Sequence, residues 1–269
     1  MTSHPDDDSP KKKNTPVALI VGAGAGIGGA VAERFASGGY HVCLCRRSNA
    51  SALQDAVTKI RAAGACASGF LMDASKPDTM EDMIAEIEST IGPIQVAVYN
   101  LGAQIGHKSL VETSHKTFEL GWRLGTFGLF RLAKCLLPRM VQRHNGTLLV
   151  TSATAAVRGN PGQHSHAAAM GGRRLLCQSL NAEYAHEGIH VVHIVVDGPV
   201  LAPDTLGKML GPQKFAALQS SRLLIDPKAV AETYWHLAHQ PPSARTFELD
   251  LRSQQDVPWW NSISAISKL

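Results

Sequence analysis

The stretch "HSHAAAMGG", His164 to Gly172, places two histidines two residues apart ahead of a run of small side chains. An imidazole changes charge near neutral pH, so either ring suits proton transfer. A metal site would need further ligands, and no Asp or Glu stands beside the pair at helical ligand spacing, so no metal is expected. Ser165 lies between them outside any Gly-x-Ser-x-Gly turn, which removes the usual setting of a hydrolase nucleophile. What remains for this segment is acid–base work.

A second chemistry-bearing stretch is "VGAGAGIGG". It follows an apolar β-branched run, "VALIV", and opens an amphipathic segment, the setting in which glycines bind phosphate. Gly22, Gly26 and Gly28 give Gly-x-x-x-Gly-x-Gly; Gly24, Gly26 and Gly29 also fit Gly-x-Gly-x-x-Gly. The first spacing is preferred because it begins at the strand end, with Ile27 opening the helix. Without Cβ atoms, this backbone admits a pyrophosphate to the N-terminal amides, where the helix dipole favours negative charge. The next strand ends Cys45-Arg46-Arg47, where an NAD site would offer a carboxylate to the ribose hydroxyl. Arg46 and Arg47 suit a 2′-phosphate instead, so the expected cofactor is NADP(H). Asp73, after the third strand, is placed to accept from an adenine amino group.

The elements that must hold these residues alternate. Strands are expected at "VALIV", "YHVCLC", "CASGFLM", "IQVAVYN", "TLLVTS", "IHVVHIVV" and "TFELDL". Helices are expected between them: from Ile27, with Ile27, Val31 and Phe35 on one face; Ser51 to Ala63; from Pro77, with acids in its first turn; Ser114 to Arg143; Gln163 to Glu187; and Pro227 to Gln240. This βαβ order predicts an α/β chain, a single-domain Rossmann-type doubly wound parallel sheet with helices on both faces. "DGPVLAPDTLGKMLGP" is rich in Gly and Pro and long for a connection, a candidate lid.

At 269 residues, with 44% hydrophobic and 18% charged side chains, one core suffices. The net charge of +4 is scattered, a mild attraction for anions and not a nucleic-acid footprint. Five cysteines without a Cys-x-x-Cys pair read as buried thiols of a reducing compartment. No apolar run is long enough to span a membrane. Residues 1–15 read as a polar tail, 16–258 as the dinucleotide-binding domain, and 259–269 as a second tail ending Ser-Lys-Leu. That tripeptide is the address read by the peroxisomal import receptor, so a peroxisomal location is expected, or a cytoplasmic one if the address is not read.

From Pro16 to Leu251 the sequence resembles the short-chain dehydrogenase/reductase family. The resemblance is carried by "GAGAGIG", "LMDAS", "YNLGA", "GTFGLFRLAKCLLP", "LLVTSA", "GIHVVHIVVDGPV" and "RLLIDPKAVAETYWHLA". It implies that Asn100 and Gly102 form the family's Asn-Ala-Gly turn, with Leu101 in place of alanine. Gly198 and Val200 stand in its Pro-Gly motif, with Asp197 in place of proline, and set the nicotinamide end. The family's reaction uses Tyr-x-x-x-Lys, a Ser about thirteen residues earlier, and an Asn on the preceding long helix. Those positions fall on His166, Met170, Ala153 and Gly125, so none of the four residue types is kept.

Histidine titrates near 6.5 and needs no neighbouring cation to act at neutral pH, whereas tyrosine titrates near 10. His166, Ser152 and Thr154 are therefore the candidate donors. Met170 cannot make the contact that lysine would make with the nicotinamide ribose. Acid–base help contributes about 10² to 10⁴ in rate, while positioning contributes roughly 7–11 kcal/mol, so hydride transfer survives such a loss in principle. Reduction of a double bond conjugated to a thioester is the most tolerant chemistry, because the enolate oxygen needs hydrogen-bond donors and not a matched acid. The family's peroxisomal dienoyl-CoA reductases also lack the tyrosine but keep the lysine. Two classes follow: an NADP(H)-dependent oxidoreductase of a carbonyl or conjugated C=C with an altered site, and a catalytically silent NADP(H)-binding regulator or scaffold. Trp122, Phe127 and Phe130 recur at helical spacing as core or interface residues, and the family resemblance implies a homodimer or homotetramer.

Overall fold

In the computed structural model, which describes residues 15–102 and 107–261, seven parallel strands form one sheet in the order β3-β2-β1-β4-β5-β6-β7. They are β1 (Val17–Val21), β2 (His41–Arg46), β3 (Ala67–Leu71), β4 (Ile94–Tyr99), β5 (Gly146–Ala153), β6 (Ile189–Val196) and β7 (Glu248–Leu251). Side chains alternate across a strand, and β1 shows the consequence. Val17, Leu19 and Val21 enter one apolar cluster while Ala18 and Ile20 enter the other. Both faces are covered, which is why β1 reads as a continuous apolar run. Helices α1 (Ile27–Ser37), α2 (Ala50–Ala62) and α9 (Pro227–Ala238) pack on one face. Helices α3 (Thr79–Thr90), α4 (His115–Trp122), α5 (Gly128–Gln142) and α6 (His164–Tyr184) lie on the other side, where all but α4 contribute to the second cluster. The strand order reverses between β1 and β4, and the crevice at their carboxyl ends is where such sheets bind ligands. Ile27, Val31 and Phe35 are buried against the sheet, as their spacing predicts.

Three elements differ from the sequence reading. The helix expected from Pro77 begins at Thr79, because Asp78 adopts a left-handed conformation (φ 61°) and Thr79 Oγ1 donates instead to Asp73 O at 2.9 Å. The helix expected to run unbroken from Ser114 to Arg143 is interrupted by a π-helical turn, Arg123–Phe127. The candidate lid is partly helical: a π-helical turn Pro203–Gly207, a single turn α7 (Lys208–Leu210), and α8 (Pro212–Ser220), which its Gly/Pro content concealed. Trp122, Phe127 and Phe130 are 43%, 38% and 43% exposed, so they are not core; they stack on one another on the outer face of α4–α5. Among the described residues no helix is long and apolar enough to cross a membrane. The terminal Ser-Lys-Leu and residues 1–14 lie outside the described residues.

Candidate active site

The glycine-rich turn is a backbone cradle. Gly22 and Ala23 donate to Cys45 O at 3.0 and 2.9 Å, folding the turn back over the end of β2. Gly22 has φ +95°, and a Cβ there would lie 2.7 Å from Asn100 O; a Cβ on Gly28 would lie 2.2 Å from Gly22 O. Asn100 Nδ2 donates to Gly22 O at 2.9 Å, so the turns after β1 and β4 are tied across the switch point. No side chain caps α1 and no acid sits in its first turn, which leaves its N-terminal amides to an anion. Space opens where a phosphate must enter: a Cβ on Gly24 or Gly102 would touch nothing within 4 Å. Gly26 faces Val200 and Ala202, which brings the loop after β6 over the cradle.

Arg46 is half-buried at the end of β2 and Arg47 is exposed beside it. Asp73 follows β3. Partial burial works against its charge, but the Ser75 hydroxyl and N–H donate to it at 2.7 and 3.0 Å and Arg47 lies nearby, so its carboxyl sits below the usual range. These residues fit a dinucleotide with a phosphorylated adenosine: a Cβ-free bed for the pyrophosphate, two guanidinium groups at the ribose end, and a fixed acceptor beyond them.

At the opposite end the close of β5 and the start of α6 bring Ser152 and Met170 together. Ser152 and Ala153 end β5, and Thr154 opens the short helical turn that follows. His166 lies in the first turn of α6, half-buried, and Met170 one turn on is 2% exposed, its Sδ 3.8 Å from Ser152 Oγ. Ser165 turns away, its hydroxyl within reach of Thr117 O and Phe118 O at 3.3 and 3.2 Å. His164 and His166 border a narrow cleft with Lys108, Thr117 and Gly162. Among the described residues no cluster of His, Cys, Asp and Glu could hold a metal.

Sequence reading missed Arg173. Its side chain is fully buried and donates to three carbonyls: Nε to Gly125 O at 2.8 Å, Nη2 to Leu101 O at 2.9 Å, and Nη1 to Thr151 O. The guanidinium also lies 5.1 Å from the Tyr99 ring centroid. Tyr99 Oη donates to Leu124 O at 2.5 Å, and Thr126 Oγ1 donates to Ala169 O at 2.8 Å, so three side chains hold the π-helical turn. A signal existed. Met170, Arg173, Cys177 and Leu180 recur at helical spacing, which puts a charge on the buried face of α6.

The loop after β6 closes the nicotinamide side. Gly198 has φ +147°, a conformation that leaves little room for a side chain, with Asp256 Oδ2 3.1 Å from where a Cβ would sit. Burial pushes the Asp197 carboxyl up, aided by Asp256, while the Trp259 N–H, donating at 3.0 Å, and Arg252 act against it. Arg158, just past Thr154, donates to Trp259 O at 2.8 Å, and Arg252 lies 4.2 Å from the Trp260 ring. Trp259 and Trp260, assigned from sequence to a tail, thus pack against the site-bearing loops.

Comparison with known proteins agrees with this geometry. The short chain dehydrogenase family matches residues 16–205. A fatty acyl-CoA reductase of Acinetobacter baylyi is 28% identical over 230 residues, 82% of this chain and 77% of that one. The crystal structure of a short-chain dehydrogenase from Rhodopseudomonas palustris superposes with a TM-score of 0.74 at 30% identity, covering 89% of this chain and 99% of the other. A metagenomic short-chain oxidoreductase crystallised with NADP shares the fold, at 21% identity and a TM-score of 0.75 over 90% and 98% of the two chains. The α/β sheet, the glycine cradle and this match over most of the chain lead to one conclusion: the protein belongs to the short chain dehydrogenase family, with a site laid out for a nicotinamide dinucleotide.

Proposed function

We propose that the protein is an NADP(H)-dependent oxidoreductase with an altered active site, reducing a carbonyl or a conjugated C=C in a small-molecule substrate, an acyl-CoA thioester being the favoured class. The observation that carries the reading is the coexistence of an open, Cβ-free cradle with Arg46 and Arg47 at the ribose end, where a carboxylate would serve NAD. When bound, the reduced cofactor supplies a hydride. The chain's own residues then have two tasks. Gly198, Val200, Asn100 and Gly102 orient the nicotinamide end. Ser152, Thr154 and His166 donate hydrogen bonds to the oxygen on which negative charge develops, and His166, entering the step protonated, gives up the proton that completes the reduction. The Ser152 hydroxyl is suited to this because among the described residues its hydrogen bond goes to the weak acceptor Met170 Sδ. The acyl-CoA class draws support from the Acinetobacter relative's substrate.

A second reading, a catalytically silent NADP(H)-binding regulator or scaffold, is favoured by the buried thioether of Met170 where the family carries a cation. The terminal Ser-Lys-Leu supports peroxisomal import through its receptor, with cytoplasmic residence if the signal is not read. The exposed aromatic stack of Trp122, Phe127 and Phe130 supports a homodimer or homotetramer. The deciding experiment follows NADPH oxidation with trans-2-enoyl-CoA and 3-oxoacyl-CoA substrates. Turnover that falls about 10²-fold or more in His166→Ala, with NADPH affinity unchanged, supports the enzyme. NADPH binding without turnover of any of them assigns the silent reading.

A further inference from the structure

We infer that Arg173 is a positioning residue whose buried, uncompensated positive charge makes the site discriminate between the two redox states of the cofactor, favouring the neutral reduced nicotinamide over the cationic oxidised one. The inference rests on the cofactor reading above. Its first ground is placement. Leu101 lies in the turn after β4, Thr151 near the end of β5, and Gly125 in the π-helical turn, so one guanidinium ties three backbone segments at the carboxyl edge of the sheet, beside the switch point. Its second ground is charge. Among the described residues all three hydrogen bonds of Arg173 go to neutral carbonyls, the Tyr99 ring face lies against it, and the uncharged Cys177, Tyr234 and His193 lie within its electrostatic reach; no carboxylate is among its hydrogen-bond partners. A guanidinium stays protonated when buried, so the charge is felt across a low-dielectric wall. Its third ground is exchange. The family position one turn earlier on α6 is Met170, neutral and buried, so the buried cation of this helix sits at 173 and not at 170.

A fixed positive charge buried beside the site disfavours a cationic ring and not a neutral one, and at an effective dielectric of about 20 a preference of roughly tenfold is expected. Neutral and cationic rings have nearly the same shape, so a merely structural tie would affect both alike. Purified full-length protein is titrated with NADPH and with NADP⁺, each Kd is measured by calorimetry, and the ratio is compared among wild type, Arg173→Lys and Arg173→Met. The expected result is a wild-type Kd for NADPH at least tenfold below that for NADP⁺. The preference should be retained in the lysine variant, even if both affinities weaken, and lost in the methionine variant. Should the methionine variant fail to fold, wild type and the lysine variant decide. Equal affinity for the two forms in wild type, or equal weakening of both in Arg173→Met, overturns the inference while leaving the cofactor reading intact. Failure of both nucleotides to bind wild type overturns the cofactor reading, and this inference with it.

Discussion

The two ends of the crevice are built from different materials. At the phosphate end the work is done by backbone: Gly22 and Gly28 hold positions that no side chain fits, and no side chain caps the start of α1. At the other end the family resemblance assigns the work to side chains, and the positions it points to carry Gly125, Ala153, His166 and Met170. Binding an anion with peptide groups leaves few ways to change a residue without losing the turn. Proton delivery needs only a donor of suitable pKa within reach, and several side chains can provide one. The fold also buries two titratable side chains: Arg173 under the strand ends, and His193 on β6, whose Nδ1 lies 2.9 Å from Glu248 Oε2.

The sharpest way to break this comparison is Gly28→Ala. Its Cβ would meet Gly22 O at 2.2 Å, and the expected cost is about 3 kcal/mol in urea denaturation together with lost NADPH binding. Gly24→Ala, with nothing within 4 Å, should cost a fraction of that. A mild Gly28→Ala would mean that the cradle is not the rigid half.

The buried His193 ring predicts a pH signature. Burial holds the His193 pKa down at about 4 despite its Glu248 partner. Between that value and about 6.5 the unfolded chain binds a proton that the folded chain refuses, so stability falls as pH drops through this window. Glu248, held below its usual range chiefly by Arg174, acts in the same direction at the acid end. From pH 7 to pH 5 the His193 contribution should decline by about 2 kcal/mol, and His193→Gln should flatten the profile of melting temperature against pH. An unchanged slope in that variant would refute the assignment.

Arg46→Ala should weaken NADPH binding about tenfold or more and leave NADH nearly unchanged, measured by quenching of protein fluorescence. Equal losses for both would place the arginine at the pyrophosphate and not at the 2′-phosphate. The smallest effect is expected from Tyr99→Phe. It removes one donor from Leu124 O on the π-helical turn and should cost about 1 kcal/mol in thermal unfolding.

The same division explains what could be read from the sequence. Alternating β-branched runs and the strand–glycine–helix order reveal the sheet and the cradle because local pattern determines both. The π-helical turn at 123–127 is invisible to periodicity, since what stabilises it is tertiary: Tyr99 from β4, and Arg173 and the Ala169 carbonyl from α6. Arg173 was passed over because a charge on a helix is ordinarily solvated; only its place in the series Met170, Arg173, Cys177, Leu180 marks it as buried. Trp259 and Trp260 lie beyond the last strand, where pattern says nothing of the Asp197 and Arg158 contacts that hold the segment.

The most direct test of the central claim, an intact NADP(H) site beside a rebuilt hydride end, is a calorimetric titration of the full-length protein with NADPH and with NADH. The account predicts micromolar binding of NADPH and at least tenfold weaker binding of NADH. No binding of either at millimolar concentration, or a preference for NADH, would contradict it.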